Sequence, residues 1–218
     1  MSADRGDSAA SSSSELQVEP LTLEFVDQAA EVISQAFLAE PITGRMFHLD
    51  DPETRERHRR ATAHQMRKAL EAGEPPLVAI KAGRAVGVAM VSRLGWRTML
   101  RTARSWLPLI PRLRRGAWRL APAAKPSRRV PRPYMLLDAL GVSPEMEGQG
   151  IGSALLEGVS GHCEADQECR GVYLQTASDR ARRLYMRAGF ELVEKRSGAG
   201  LTIAHLYRSA DDRGPGVG

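Results

Sequence analysis

The sequence predicts an α+β fold: a mixed, mostly antiparallel central sheet with helices on both faces. Three observations predict it. Two pairs of adjacent strand-like runs, one in the middle of the chain and one near its end, read as antiparallel neighbours. Between them lies a single strand–helix–strand unit that opens on an apolar run, MLLDALGV. Two helical stretches precede the first strand pair. The order is β-α-α-β-β-insert-β-α-β-α-β-β, which has too few alternating βα units for a doubly wound parallel sheet.

Each element follows from local pattern. Residues 1–15 are low-complexity Ser/Ala without apolar periodicity, which predicts a disordered tail. Leu16 to Pro20 reads as a first short strand. Phe25, Ala29, Val32, Ile33 and Phe37 recur at helical spacing and predict a helix over about 24–38. The run AEPITGRMFHLD reads as a loop. Asp51-Pro52-Glu53 is a helix start: a capping acid, a proline in the first turn, then an acid that complements the dipole. That helix runs to about Ala72, where Gly73 closes it. Leu77–Lys81 and Ala85–Arg93 form a hairpin through Ala82-Gly83-Arg84. A basic helical insert occupies 96–133. MLLDALGV is then a strand, QGIGSALLEGVSGHC a helix and GVYLQT a strand. SDRARRLYMRAGF is a helix ended by Gly189, and ELVEKR and TIAHLYR are the last strands. Residues 16–210 are expected to form one domain, followed by a flexible tail over 211–218.

Composition bounds the function. The chain has 218 residues, 42% of them hydrophobic and 26% charged, which suits one globular domain with tails. No apolar run approaches the 18 residues that a membrane-spanning helix needs. The start MSADRGDSAASSSSE lacks the charged-then-apolar order of a secretory signal, so a cytoplasmic location is expected. Cys163 and Cys169 are the only cysteines; they read as reduced thiols, and no CxxC or His/Cys cluster suggests zinc. No metal site is expected. The five histidines, His48, His58, His64, His162 and His205, are scattered, which predicts surface or packing roles.

The net charge of +5 hides an asymmetry. No acidic residue lies between Glu74 and Asp138, a stretch that holds 14 basic residues. The rest of the chain carries 17 basic against 26 acidic residues. A basic middle in an acidic body attracts something anionic: phosphates, nucleic acid, lipid head groups or an acidic partner. All three tryptophans, Trp96, Trp106 and Trp118, lie in this middle. Trp96, Met99, Leu100, Ala103, Trp106, Leu107 and Ile110 fall on one helical stripe. The favoured reading packs that stripe on the domain, where it lines the acceptor cleft. Peripheral contact with an anionic membrane is the second reading. Nucleic acid is disfavoured, since no stacking platform accompanies a known motif.

The stretch that carries chemistry is LDALGVSPEMEGQGIGSALLEG, residues 137–158. A strand ends at Val142, a loop follows, and Gly148, Gly150 and Gly152 lead into a helix. Glycines let backbone approach a ligand, and the helix start leaves N–H groups unpaired. Together with the dipole they make a cradle for phosphate or pyrophosphate. Three explanations compete. A ligand-free tight turn is the plainest. A Rossmann loop needs an acid at the end of the next strand, where this chain has Gln175-Thr176. A coenzyme A cradle is the third. A Walker loop is excluded, because no Gly-Lys-Ser/Thr is present.

LGVSPEMEGQGIGSALL, followed by YLQTASDRARRLYMRAGFELV, resembles the GNAT family of acyl-CoA N-acyltransferases. The family's phosphate loop is Arg or Gln, two residues, Gly, one residue, then Gly or Ala. Here Gly150 and Gly152 match, and Glu147 stands in the first position. The family's second pattern, Ala-x-x-Leu-Tyr-x-x-x-Gly-Phe, is matched by Ala181, Leu184, Tyr185, Gly189 and Phe190. Ser178 stands where the family often has Asn. The likeness covers about 134–196; AFLAEPITGRMF and LGVSP are also similar to the branch that includes puromycin acetyltransferases.

The resemblance implies a GNAT fold, acetyl-CoA as cosubstrate and direct attack by a primary amine in a ternary complex. It favours a small-molecule acceptor. It implies that Gly148, Gln149, Gly150, Ile151, Gly152 and Ser153 hold the phosphates through backbone N–H groups, with Ser178 as a further hydrogen-bonding residue. It implies that the main chain of Leu140, Gly141 and Val142 pairs with the pantetheine arm and polarises the acetyl carbonyl. Tyr185 is then the general acid for the leaving thiolate; otherwise it is a core tyrosine. Asp138, an acid in an apolar strand, is either the general base or the ion-pair partner of an insert arginine. Glu145 is a weaker base candidate. The alternative function is a non-catalytic module that senses acyl-CoA or docks on an anionic surface.

Overall fold

The computed structural model describes residues 15–93 and 113–211. Its elements in chain order are β1 (Gln17–Pro20), α1 (Val26–Ala36), α2 (Pro41–Met46), α3 (Pro52–Glu71), β2 (Leu77–Lys81) and β3 (Arg84–Arg93). After the insert's short α4 (Ala121–Ala124) come β4 (Met135–Val142), α5 (Ile151–Ala165), β5 (Gly171–Thr176), α6 (Asp179–Arg187), β6 (Glu191–Gly198) and β7 (Leu201–Ser209). The strands make one sheet in the order β1-β2-β3-β4-β5-β7-β6. Only β4 and β5 run parallel; the other neighbours are antiparallel.

The predicted helix start at Asp51 is present. Its carboxylate accepts from the Thr54 N–H at 2.9 Å, with Pro52 in the first turn. The run read as a loop holds α2, built by the same grammar: Glu40 caps it by accepting from the Thr43 N–H at 2.6 Å, with Pro41 next. A six-residue helix is too short for apolar periodicity to reveal.

Side chains alternate across the sheet. One face buries Leu77, Ala79, Ala89, Met135, Leu137, Val172, Leu174 and Leu206 against Ile151, Leu155, Leu156 and Val159 of α5. The opposite face buries Val78, Ile80, Val88 and Met90 against α1 and α3. Further along that face, Leu120 and Ala123 of the insert pack on Ile203 of β7. The predicted helical stripe from Trp96 to Ile110 lies outside the described residues. Within 113–133, the insert has only a 3-10 turn at Ala117–Leu120 and the four-residue α4. Trp118 is 74% exposed there.

The reading of both cysteines as thiols is overturned: Cys163 and Cys169 form a disulfide. Cys163 lies in the last turn of α5. The chain then reverses, with Asp166 N–H bonding Cys163 O and Cys169 N–H bonding Asp166 O. The reversal brings the two Cα atoms to 5.4 Å, the span a disulfide bridges.

Two irregularities of β4 shape the site. Met90 pairs with Ala139 and Val91 with Leu137, so Asp138 is an extra, bulged residue. The bulge breaks the alternation: Leu137, Leu140 and Val142 all reach the α5 side, whereas Ala139 packs on the opposite side. In addition, β4 pairs with β5 only at Met135–Val172 and Leu136–Tyr173. Beyond those pairs the strands part. β5 continues along β7 as far as Thr176–Ala204, and β4 along β3 as far as Val142–Gly87.

Candidate active site

The parted strands leave one edge of β4 without a ladder partner among the described residues. Leu140, Gly141 and Val142 bond β3 on one side and face the parting on the other. Gly141 is needed for packing behind this edge. A Cβ there would meet Ile33 Cδ1 at 3.0 Å and Ala36 Cβ at 3.1 Å, so glycine lets α1 lie against β4.

The chain leaves β4 through a 3-10 turn at Pro144–Met146 and reaches Gly148 and Gly150, with φ of 79° and 80°. These left-handed conformations suit glycine. Gly150 is the N-cap of α5, and no side chain caps the helix. The N–H groups of Ile151, Gly152 and Ser153 are therefore first-turn donors without an intrahelical acceptor. A Cβ at Gly148 or Gly150 would meet nothing within 4 Å, so the ground before them is open. Gly152 differs from expectation. Its missing Cβ faces Leu184 Cδ2 at 3.2 Å, so its small size serves the α5–α6 contact.

Gly87, which sequence reasoning missed, sets the helix start against the sheet. A Cβ there would lie 2.7 Å from Ile151 Cγ2. An isolated glycine inside a strand was the available signal.

Around the cradle, the Gln149 side chain accepts from Lys81 Nζ at 2.9 Å, and Glu147 accepts from Arg180 Nη2 at 2.6 Å. The departure from the family's loop is thus tied to α6. Ser178 caps α6, its hydroxyl oxygen accepting from the Ala181 N–H at 3.2 Å. Its own proton remains available to a ligand.

Tyr185 lies on α6, 8% exposed, with its ring edge-on to Phe190 at 5.9 Å. Burial raises its phenol above the ordinary value, and the negative charge of Glu40 adds to the rise. The hydroxyl therefore stays protonated at working pH and serves as a donor. Sequence reasoning missed Glu40. Its Oε2 is held by both the N–H and the hydroxyl of Thr43, and Ile42 and Met46 of the same helix pack on the Leu120, Ala123 and Ile203 cluster, as does Ala177 just before the α6 cap. The pattern Glu-Pro-x-Thr was the signal. Asp138 occupies the β4 bulge and is exposed. Glu145 lies exposed in the 3-10 turn before the cradle.

The wall opposite α5 is joined from distant segments. Phe47 bridges Leu113, and Arg114 N–H bonds Met46 O at 2.8 Å. Buried His205 links Tyr173 OH at 2.6 Å to Ala123 O at 2.9 Å. The Tyr173 oxygen also accepts from Ser127 N–H and Gln175 Nε2. Burial lowers the His205 pKa, so the neutral ring donates from Nε2 to Ala123 and accepts at Nδ1 from Tyr173. Among the described residues no group of three His, Cys, Asp or Glu is placed to hold a metal ion, and no helix is long and apolar enough to cross a membrane.

An open strand edge that leads to a glycine-rich helix start is the arrangement of proteins that bind acyl-CoA. The model of the acetyltransferase (GNAT) family matches residues 43–190, and the chain belongs to that family. Acetyl-CoA is the family's cosubstrate. A stretch of 63 residues is 40% identical to mycothiol acetyltransferase of Propionibacterium freudenreichii subsp. shermanii. That stretch covers 28% of this chain and 20% of the relative, so the chain spans about a fifth of the relative's length. A Corynebacterium glutamicum structure described as histone acetyltransferase HPA2 and related acetyltransferase is 25% identical, with a TM-score of 0.63 over 89% of this chain and 97% of that one. A Drosophila melanogaster polyamine N-acetyltransferase shares the fold at 19% identity, with a TM-score of 0.59 over 89% and 100%.

Proposed function

We propose that the chain moves an acetyl group from acetyl-CoA to a primary amine of a small molecule, by direct attack in a ternary complex. The observation that carries this reading is the open edge of Leu140–Val142 running toward the glycine-led start of α5. In this reading the pyrophosphate lies on the N–H groups of 148–153, and the pantetheine arm adds to β4 as a strand would. Main-chain N–H groups of β4 polarise the thioester carbonyl. The neutral amine nitrogen attacks that carbon, the C–N bond forms and the C–S bond breaks. The thiolate takes the Tyr185 proton, and a carboxylate takes the proton lost by the amine.

Two carboxylates stand ready for that last role: Asp138 on the strand and Glu40 facing Tyr185. A pH–rate profile of Asp138→Asn and Glu40→Gln separates them, because only the base's variant loses the acidic limb. Small amines are the acceptor class named for similar structures, agmatine for one and polyamines for another.

The test is calorimetry with acetyl-CoA, followed by thiol release over polyamines, aminoglycosides, puromycin, amino acids and protein N-termini. Tight binding with release in the presence of a small amine is the expected result. Binding without turnover across the whole panel would favour the acyl-CoA-sensing module. No binding at all would sink both readings.

A further inference from the structure

Glu147 poses an electrostatic problem. It puts a negative charge one residue before a cradle made for a dianion, at the loop position where the family carries Arg or Gln. A carboxylate left alone there would repel the ligand the cradle is shaped to hold.

The structure answers from another element. Arg180, 33 residues along the chain in the first turn of α6, places Nη2 2.6 Å from Glu147 Oε2. The pair joins the loop after β4 to α6, and both side chains are solvated, Arg180 at 71% and Glu147 at 44% exposure. Gly148 follows Glu147 directly and Gly150 two residues later, and a Cβ at either would meet open space. The guanidinium is thus parked beside the cradle.

We propose that Arg180 is the phosphate-binding cation of this site, and that Glu147 is the carboxylate that positions it until the cosubstrate arrives. The positive charge that an Arg at the loop position would bring is here supplied from α6. The inference rests on the reading of 148–153 as the pyrophosphate cradle.

The energetics allow the exchange. An exposed carboxylate–guanidinium pair contributes little net stability, because water screens it and two flexible side chains must be ordered. A pyrophosphate offers more charge, and oxygens spaced for bidentate contact with the planar fork. Arg180 therefore turns from Glu147 to phosphate at small cost. Glu147 then faces a ligand whose charge is partly offset by Arg180.

The proposal makes a non-additive prediction. Arg180→Ala removes a contact and also exposes the ligand to Glu147. Arg180→Ala/Glu147→Gln removes the contact only. Calorimetry of the intact protein with CoA, 3′-dephospho-CoA and pantetheine reads this without any turnover. We expect Arg180→Ala to weaken CoA about tenfold or more, the scale of a lost charge-assisted hydrogen bond. The double variant recovers a substantial part of that loss, and Arg180→Lys, which keeps the charge but not the fork, falls between wild type and Arg180→Ala. The same loss with 3′-dephospho-CoA assigns the contact to the pyrophosphate, and pantetheine, which lacks phosphates, shows no change. Melting curves should be unmoved, since Arg180 is exposed.

Unchanged CoA affinity in Arg180→Ala overturns the proposal while leaving the cradle intact. So does a double variant as weak as the single one, or a loss confined to CoA and absent with 3′-dephospho-CoA. Absence of CoA binding by the wild-type protein is a different failure, and overturns the cradle itself.

Discussion

The cradle at the start of α5 and the wall opposite are made by different means. The cradle is contiguous backbone: Val142 to Ala154, two left-handed glycines and a helix start whose donors point into open space. The wall is side chains gathered from α2, the insert, β5 and β7, joined by Arg114 to Met46 and by His205 to Ala123. Backbone donors are indifferent to what surrounds them, so one short sequence is enough to specify them. Side-chain walls depend on partners many residues apart, and those partners set what fits. In the proposed reading, the first region stays generic for a common cosubstrate while the second is free to select an acceptor.

Substitutions can break this contrast. The largest effect is expected at Tyr185, the proposed general acid. Tyr185→Phe keeps the ring against Phe190 but removes the proton. In single-turnover assays the rate should fall about 10²–10⁴-fold with acetyl-CoA affinity unchanged. An unaltered rate would make the residue part of the core alone.

A pH effect comes next, from behind the wall. His58 of α3 is buried, edge-on to Phe37, and burial lowers its pKa to about 4. A histidine depressed in the folded state is charged first in the unfolded state. Stability is therefore whole above about pH 6.5, and is lost progressively as pH falls toward about 4, by roughly 3 kcal/mol at most. Thermal melts of wild type and His58→Leu across that window check it. The wild-type curve should be the steeper, and parallel curves would remove His58 from the account.

Within the cradle, Gly150→Asp brings a charge to the site and a side chain to a φ of 80°. Nearby like charges cost about 1–4 kcal/mol at 4 Å, so CoA affinity should drop at least several-fold while the acceptor wall is untouched. Gly150→Ala carries the backbone strain without the charge and separates the two causes.

The smallest expected change falls on the wall. Tyr173→Phe strips the hydroxyl that joins Ser127, Gln175 and His205. Unmade buried hydrogen bonds cost about 1–3 kcal/mol. Stability should fall by that order and acceptor KM should shift, with CoA affinity constant. A loss of CoA affinity instead would mean that the two regions are coupled.

The same contrast explains what was legible in the sequence. The seven strands, the Asp51 cap, the glycine-led helix and the α6 pattern around Tyr185 are all local features, set by spacing within a few residues. Other features needed the fold. Asp138 becomes a bulge only through its register with Met90 and Val91. Glu40 matters because the fold brings its charge within reach of Tyr185. Gly87 shows its purpose only beneath Ile151, and the thiol reading of Cys163 and Cys169 failed because a reversal at Asp166 joins them. None of these pairings leaves a periodic trace.

The brief pairing of β4 with β5 has a mechanical meaning. Two residue pairs form the seam between a four-strand plate and a three-strand plate. Loads cross from one plate to the other through that seam and through the helices and insert packed over it. The pantetheine arm proposed for the parting would act there as a spline, locking the plates while it stays and freeing them when product leaves. Occupancy is then readable as rigidity, with the amides of Leu140 to Val142 slowing their exchange with solvent deuterium whenever the parting is filled.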